Sequence, residues 1–394
     1  MSLFDKCHRF TRAREVMAAG IYPYFAPIEA SYDTEVVIHG ERKVMVGSNN
    51  YLGLTHHPAV LAAAEAALHR YGSGCTGSRF LNGTLDLHET LEHRLASFLG
   101  KESALVFTTG VLTNQGVIST LVGRGEHIFS DKLNHASIVD GSRLSFGAVH
   151  RYAHADFDAL ERELAAVPLD SGKLIITDGI FSMEGDIADL PRMVELADRY
   201  NAQVMVDDAH ALGVLGINGA GTPEHFGLTD RVDLIMGTFS KSLASIGGVI
   251  AADEAVIHYL KHHARSLIFS ASMPPASVAA VLAALDVLQA EPERREMLWR
   301  NTRRMQEGLR SLGYDTGVSN TPVIPVLIGE LEVMLAFWRQ LFDAGVFTNP
   351  VTPPAVPDNS CRLRISLMAT HTDEHIDFVL DAFARVGKAT AVIG

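Results

Sequence analysis

The sequence predicts an α/β protein, with a large domain built on a mostly parallel sheet and a smaller C-terminal α+β domain. Three observations support this. Short apolar runs alternate with helical segments from residue 58 to about 285, the pattern of strands buried on both faces and joined by crossover helices. Polar residues gather just beyond those runs, where open α/β sheets place their ligands. From about 286 the alternation gives way to a long charged helix and isolated strand candidates.

Residues 4–20 carry a helical pattern that stops at Gly20, followed by the aromatic, proline-containing stretch 22–27. Residues 36–38 and 43–46 read as two short strands around the turn His39-Gly40-Glu41. Together these form an N-terminal arm, 1–47. The large domain, 48–285, opens with helices at 60–71 and 85–99, stopped by Gly72 and Gly100. Strands are expected at 104–107, 127–129, 174–177, 204–206, 234–236 and 248–250. The small domain, 286–394, should hold a charged helix at 291–312, strands at 323–328 and 362–367, and helices at 331–344 and 373–386.

The bulk properties bound the function. The 394 residues are 47% hydrophobic, enough for a sizeable core, and the formal net charge of -13 disfavours nonspecific binding to nucleic acid or to an anionic membrane. Three scattered cysteines, Cys7, Cys75 and Cys361, fit a reducing compartment and form no disulfide framework. The first ten residues are charged and lack an apolar run, so no secretory leader is expected. No stretch of about 18 uninterrupted apolar residues is present to span a bilayer. The expectation is a cytoplasmic protein, with contact at the inner face of the cell membrane left open by composition.

The chemistry centres on Lys241. A strand-like run, 232–236, leads into the polar loop Gly237-Thr238-Phe239-Ser240-Lys241-Ser242. A lysine amine so placed can form a Schiff base with the aldehyde of pyridoxal phosphate (PLP), and the flanking hydroxyls can hydrogen-bond its phosphate. A loop lysine taken alone is an ordinary solvated charge. Upstream, residues 202–206 read as a buried strand ending in Asp207-Asp208-Ala209-His210. An aspartate there can pair with a protonated pyridine nitrogen, and a histidine three positions on can reach the phenolic oxygen of the ring. Asp207, Asp208 and His210 are also ordinary ligands for a divalent metal, but no further ligands stand at fixed spacing, and none is expected.

Other polar residues follow other strands. Phe107-Thr108-Thr109-Gly110-Val111-Leu112-Thr113-Asn114 turns from strand into helix, and the free amides of such a helix start suit a phosphate. Simple capping by Thr108 or Thr109 explains the same residues equally well. His135, in Asn134-His135-Ala136-Ser137, could stack on a flat ring, although a lone loop histidine is ordinarily solvated. Asp178-Gly179-Ile180-Phe181-Ser182-Met183-Glu184-Gly185-Asp186 follows the strand at 174–177, and Ser182 is expected to point at the same site.

Taken together, Asn49-Asn50-Tyr51-Leu52-Gly53-Leu54, Asn134-His135-Ala136-Ser137-Ile138, Asp207-Asp208-Ala209-His210, Gly237-Thr238-Phe239-Ser240-Lys241-Ser242 and 364–372 resemble the α-oxoamine synthase family of PLP enzymes, in order and over nearly the whole chain. The resemblance implies a PLP-dependent transferase of fold type I. It further implies a homodimer with active sites shared between subunits. Lys241 would hold the cofactor, Asp207 the pyridine nitrogen and His210 the phenolic oxygen, with His135 stacked on the ring. Gly110, Val111, Thr238 and Ser240 would hold the phosphate, with Ser270 or Ser272 reaching it from the partner subunit. Arg364 would clamp the amino-acid carboxylate, assisted by Asn50, Ser182 and His135, since a planar guanidinium suits a carboxylate. The alternative for Arg364, less favoured even without the resemblance, is a strand-edge surface arginine.

Segments 78–84, 138–146 and 269–273 are similar to the branch that condenses L-serine with a long-chain acyl-CoA, palmitoyl-CoA giving 3-ketodihydrosphingosine, coenzyme A and carbon dioxide. Ala355, where some family members carry threonine, fits that branch better than the biotin-pathway branch. Alternatives are a sister synthase using glycine, alanine or another acyl-CoA, an aminotransferase or lyase on the same fold, and a catalytically dead scaffold. Intact Lys241, Asp207, His210 and Arg364 count against the last.

Overall fold

The computed structural model describes residues 2–394; Met1, the first residue of the expected arm, lies outside them. The described residues fall into two compact units. One comprises the residues up to Ser48 together with Trp299–Gly394, and the other is Asn49–Leu298. The expected boundaries at 47 and 285 therefore shift, and the arm is no separate piece. Residues beyond 285 stay with the large unit for a physical reason. The helix Pro275–Ala290 packs along the helix Pro58–Tyr71. It also delivers Val278, Val281, Leu285 and Leu288 to the large core.

The first unit begins with β1 (Ala30–Tyr32), β2 (Glu35–Ile38) and β3 (Glu41–Met45), paired antiparallel in sequence. The continuous helix expected at 4–20 is instead two short ones, Asp5–His8 and Arg12–Ala18. Neither has a side-chain cap or buries a residue, so nothing in the packing holds a single longer helix together.

In Asn49–Leu298 a seven-stranded sheet forms from β4 (Ser103–Phe107), β5 (His127–Asp131), β6 (Ala148–Tyr152), β7 (Lys173–Asp178), β8 (Gln203–Asp207), β9 (Leu234–Thr238) and β10 (Gly248–Ala252). The spatial order is β4-β10-β9-β8-β7-β5-β6. All pairings are parallel except those of β10, which runs antiparallel to both neighbours. Alternate residues feed two apolar layers on opposite faces. Ala104, Val106, Val204, Val206 and Ile235 join one, packed with the helices Asp86–Leu99, Leu190–Tyr200 and Pro275–Ala290. Leu105, Phe107, Met205, Leu234 and Met236 join the other, with the helices Gly110–Leu121, Ala136–Leu144 and Glu254–His263. Residues facing both layers need apolar side chains at every position, which explains the unbroken runs in the sequence. β6 escapes that signal. It is an edge strand, and only its last residue, Tyr152, is buried.

The first unit resumes with β11 (Val323–Gly329), β12 (Val346–Phe347), β13 (Asn349–Val351) and β14 (Cys361–Ser366). β12 adds parallel to β3, while β11, β14 and β13 form a separate antiparallel sheet. Its helices Leu331–Asp343 and Asp373–Ala389 bring Phe337 and Phe383 edge to face, with ring centroids 5.6 Å apart.

Candidate active site

The carboxyl ends of β4, β5, β7, β8 and β9, with the amino end of β10, surround a cavity of about 310 Å³. This is the edge at which open α/β sheets bind ligands, and the volume suits a small cofactor. Lys241, Asp207, His210, His135, Ser182, Gly110, Val111, Thr238 and Ser240 all line it. Nine of the sequence-predicted site residues are thus brought together.

Local structure explains each placement. Lys241 sits in a pinned loop between β9 and β10: Phe239 N donates to Gly247 O (3.0 Å), Ser245 N to Phe239 O (2.8 Å) and Ala244 N to Lys241 O (3.0 Å). Phe239 is fully buried beneath the loop. Gly247 has φ +130°, and a Cβ there would meet the Phe239 ring at 2.6 Å, so only glycine closes the turn. On the opposite wall Thr109 caps the helix Gly110–Leu121, accepting from Leu112 N (3.1 Å). The first-turn amides of a helix have no intrahelical carbonyl to bond, and they carry the positive end of its dipole. A Cβ on Gly110 would lie 2.9 Å from Thr238 Oγ1, so glycine keeps this amide cradle open. Thr238 Oγ1 and Ser240 Oγ stand 3.1 Å apart across the cradle.

The centre of the cavity is charged and buried. Asp207, 3% exposed, accepts from Asn114 Nδ2 (2.7 Å) and Ala209 N (3.0 Å). Asn114 Nδ2 also donates to Ser137 Oγ (2.8 Å), which lies 2.7 Å from His135 Nδ1. Ser137 N donates to that same Nδ1, so Nδ1 is an acceptor and the ring proton sits on Nε2. Burial pushes the His135 imidazole below its ordinary value, against the pull of Asp207. A neutral ring results, suited to stacking. His210 Nδ1 meets the hydroxyl of Tyr51 at 2.7 Å, fixing the ring orientation.

Three contributors went unassigned in the sequence. Asp178 lines the cavity, is register-paired with Asp207 across β7 and β8, and accepts from His135 N (2.8 Å). Burial, then the charge of Asp207, drives its carboxyl well above the usual range. Asn114 and Tyr51 complete the set. All three act through partners 43 to 159 residues away, a relation that spacing along the chain does not carry. All three lay in segments the sequence singled out, but with no role given to them.

Other predicted residues stand elsewhere. Asn50 is buried in its loop, donating to Thr55 Oγ1 (2.9 Å) and accepting from Leu54 N (2.9 Å). Asp208 accepts from the amide and hydroxyl of Thr222, and burial raises its carboxyl to about 7. Ser272 Oγ donates to Gly77 O (3.1 Å) and Ser270 Oγ to Ala271 O (3.4 Å); neither lines the cavity. Arg364 belongs to the other unit, where it is buried on β14 and donates to Ser366 Oγ (2.9 Å), contrary to a strand-edge surface arginine.

The donor set fits pyridoxal phosphate. An amine, a buried carboxylate, a neutral imidazole and a glycine cradle at a helix start each match one part of that molecule, and buried Asn114 Oδ1 has no partner within the protein. The profile of the family "aminotransferase class I and II" matches residues 41–383, and the chain belongs to that family of PLP-dependent enzymes. Within it, the similarities are to α-oxoamine synthases. The chain is 53% identical over 390 residues to a serine palmitoyltransferase of Sphingobacterium spiritivorum, covering 99% of this chain and 98% of the relative. It is 44% identical to an 8-amino-7-oxononanoate synthase of Geobacter sulfurreducens, over 96% and 98% of the two chains. A solved serine palmitoyltransferase from S. paucimobilis, with PLP and myriocin bound, superposes with a TM-score of 0.97 at 36% identity, covering 100% of both chains.

Proposed function

We propose that the chain condenses L-serine with palmitoyl-CoA, releasing coenzyme A and carbon dioxide and giving 3-ketodihydrosphingosine, the opening step of sphingolipid synthesis. The observation that carries this reading is the convergence of Lys241, Asp207, His210 and His135 on one cavity, in a chain so similar to serine palmitoyltransferases over its full length. Bound PLP supplies an electron-accepting ring that stabilises negative charge at the amino-acid α-carbon.

The chain's own residues do the rest. Lys241 Nζ is the base that takes the α-proton. Asp207 holds a proton on the ring nitrogen, and Asn114 keeps that carboxylate in place. His210, oriented by Tyr51, holds the phenolic oxygen. His135 covers the ring face and, with Ser182, orients the substrate. The Gly110 and Val111 amides with Thr238 and Ser240 bind the phosphate. Arg364 clamps the substrate carboxylate on the strength of guanidinium–carboxylate chemistry, and Asn50 acts by shaping its loop. Orientation of the carboxylate times the deprotonation as well as binding the substrate.

We assign the working form to a homodimer in which Ser270 or Ser272 reaches the partner's phosphate site. Support comes from apolar residues left exposed next to Ser270 and on the loop that follows Gly77, which Ser272 bonds: Phe269 at 74%, Phe80 at 51% and Leu81 at 78%. Among the described residues no helix is long and apolar enough to cross a membrane. We place the enzyme in the cytoplasm, with peripheral contact at the inner membrane face, where a long-chain acyl substrate would partition.

A matrix of amino acids against acyl-CoA lengths, with product identification, tests this. Coenzyme A release requiring both L-serine and a long-chain thioester supports it. Release with alanine and a shorter acyl group, at the expense of serine, would move the chain to a sister synthase.

A further inference from the structure

Outside the cavity lining lies a charged bracket with no assigned role. His154 follows the edge strand β6, and both of its ring nitrogens are engaged: Nδ1 with Asp131 Oδ2 at 3.1 Å and Nε2 with Asp186 Oδ2 at 3.0 Å. Both partners are carboxylate oxygens, so both nitrogens donate and the ring is an imidazolium. The two carboxylates belong to different loops. Asp131 ends β5 and shapes the turn into His135, accepting from Leu133 N (2.8 Å) and Ala155 N (3.0 Å). Asp186 closes the loop that carries Ser182: Phe181 N donates to Asp186 O (3.0 Å) and Gly185 N to Phe181 O (2.8 Å). The Phe181 ring meets the imidazole edge to face at 4.4 Å. His135 and Ser182 both line the cavity.

We propose that His154 is a positioning residue, an imidazolium strut that ties the loop presenting His135 to the loop presenting Ser182 and so sets how the site holds its amino-acid substrate. The inference rests on the functional reading above for the identity of that substrate. It implies that amino-acid binding and the order of both loops depend on the strut more than cofactor retention does, because Lys241, Asp207 and the Gly110 cradle still hold the cofactor when the stacking of His135 is loosened.

The test uses the full-length holoenzyme and two variants. His154→Gln keeps the bulk and loses the cation. Asp186→Asn leaves the imidazole one carboxylate and serves if the first variant folds poorly. The measurements are the cofactor absorbance, L-serine titration of that absorbance, the split of KM and kcat, and hydrogen exchange of segments 131–135 and 179–187. The expected result is retained cofactor absorbance, faster exchange in both segments, and L-serine affinity weakened roughly tenfold, the scale of one lost charge-assisted hydrogen bond, with KM moving more than kcat. Wild-type exchange and serine affinity in both variants would overturn the proposal, as would loss of cofactor in step with serine binding. A wild-type enzyme that ignores L-serine would sink the functional reading instead, while the exchange data would still judge the strut.

Discussion

Two aspartates on neighbouring strands meet at the same cavity in different surroundings. Asp207 receives two hydrogen bonds, from Asn114 Nδ2 and Ala209 N. Asp178 receives one from His135 N, and burial beside Asp207 pushes its carboxyl up. A carboxyl that burial pushes towards its neutral form is better mimicked by an amide than one whose proposed role is to face the cofactor's ring nitrogen. Asp178→Asn should therefore keep turnover within about tenfold of wild type, and Asp207→Asn should lower kcat by at least about 10³-fold, the scale of removing a group that acts on the reacting charge. Steady-state kinetics on the two holo variants checks this; equal losses would refute the assignment. Asp207 was legible from sequence because an acid closing an apolar run announces a strand end. Asp178 closes a run in the same way, yet its meaning comes from its pairing with Asp207 across two strands, which no local pattern carries. The Tyr51–His210 contact is hidden for the same reason.

At the scale of elements, the start of the helix Gly110–Leu121 carries the proposed phosphate site. The sequence left capping and phosphate binding equally open at this turn; the structure has Thr109 doing the capping and Gly110 leaving room beside Thr238, so the cap does not compete with the proposed phosphate site. Gly110→Ala would push a methyl group to within 2.9 Å of Thr238 Oγ1. Cofactor affinity should fall roughly tenfold, the cost of displacing about one hydrogen bond to a charged group, with the melting point of the cofactor-free protein little changed. Fluorescence titration with PLP reads the first and a thermal melt the second. Strands with both faces buried were legible because their apolar runs are unbroken. Exposed β6 was not, nor was the break in the arm between His8 and Arg12, because neither is fixed by burial.

For the molecule as a whole, two histidines bound the pH range of stability from opposite sides. His371, fully buried, accepts from Met368 N at Nδ1 (2.9 Å) and donates from Nε2 to Met45 O (3.0 Å), so it is neutral. Burial lowers it to about 4 from an ordinary 6.5. A depressed value in the folded state means the unfolded chain takes up the proton first, so stability present above about 6.5 is lost as pH falls towards 4, by roughly 3 kcal/mol. His154 works the other way. Burial opposes its charge, but Asp131 and Asp186 outweigh that and raise it to about 10. Its contribution is whole below about pH 6.5 and fades as pH rises towards 10. The melting-point gap between wild type and His371→Gln should therefore narrow from pH 6.5 to 4; a constant gap would contradict the neutral assignment. The proposed chemistry nevertheless depends on one amine, that of Lys241, in the cavity at the sheet's carboxyl edge. Borohydride reduction of the holoenzyme followed by peptide mapping tests it most directly. The pyridoxyl label is predicted on the peptide containing Lys241 and on no other; a label on a different lysine, or none, would contradict it.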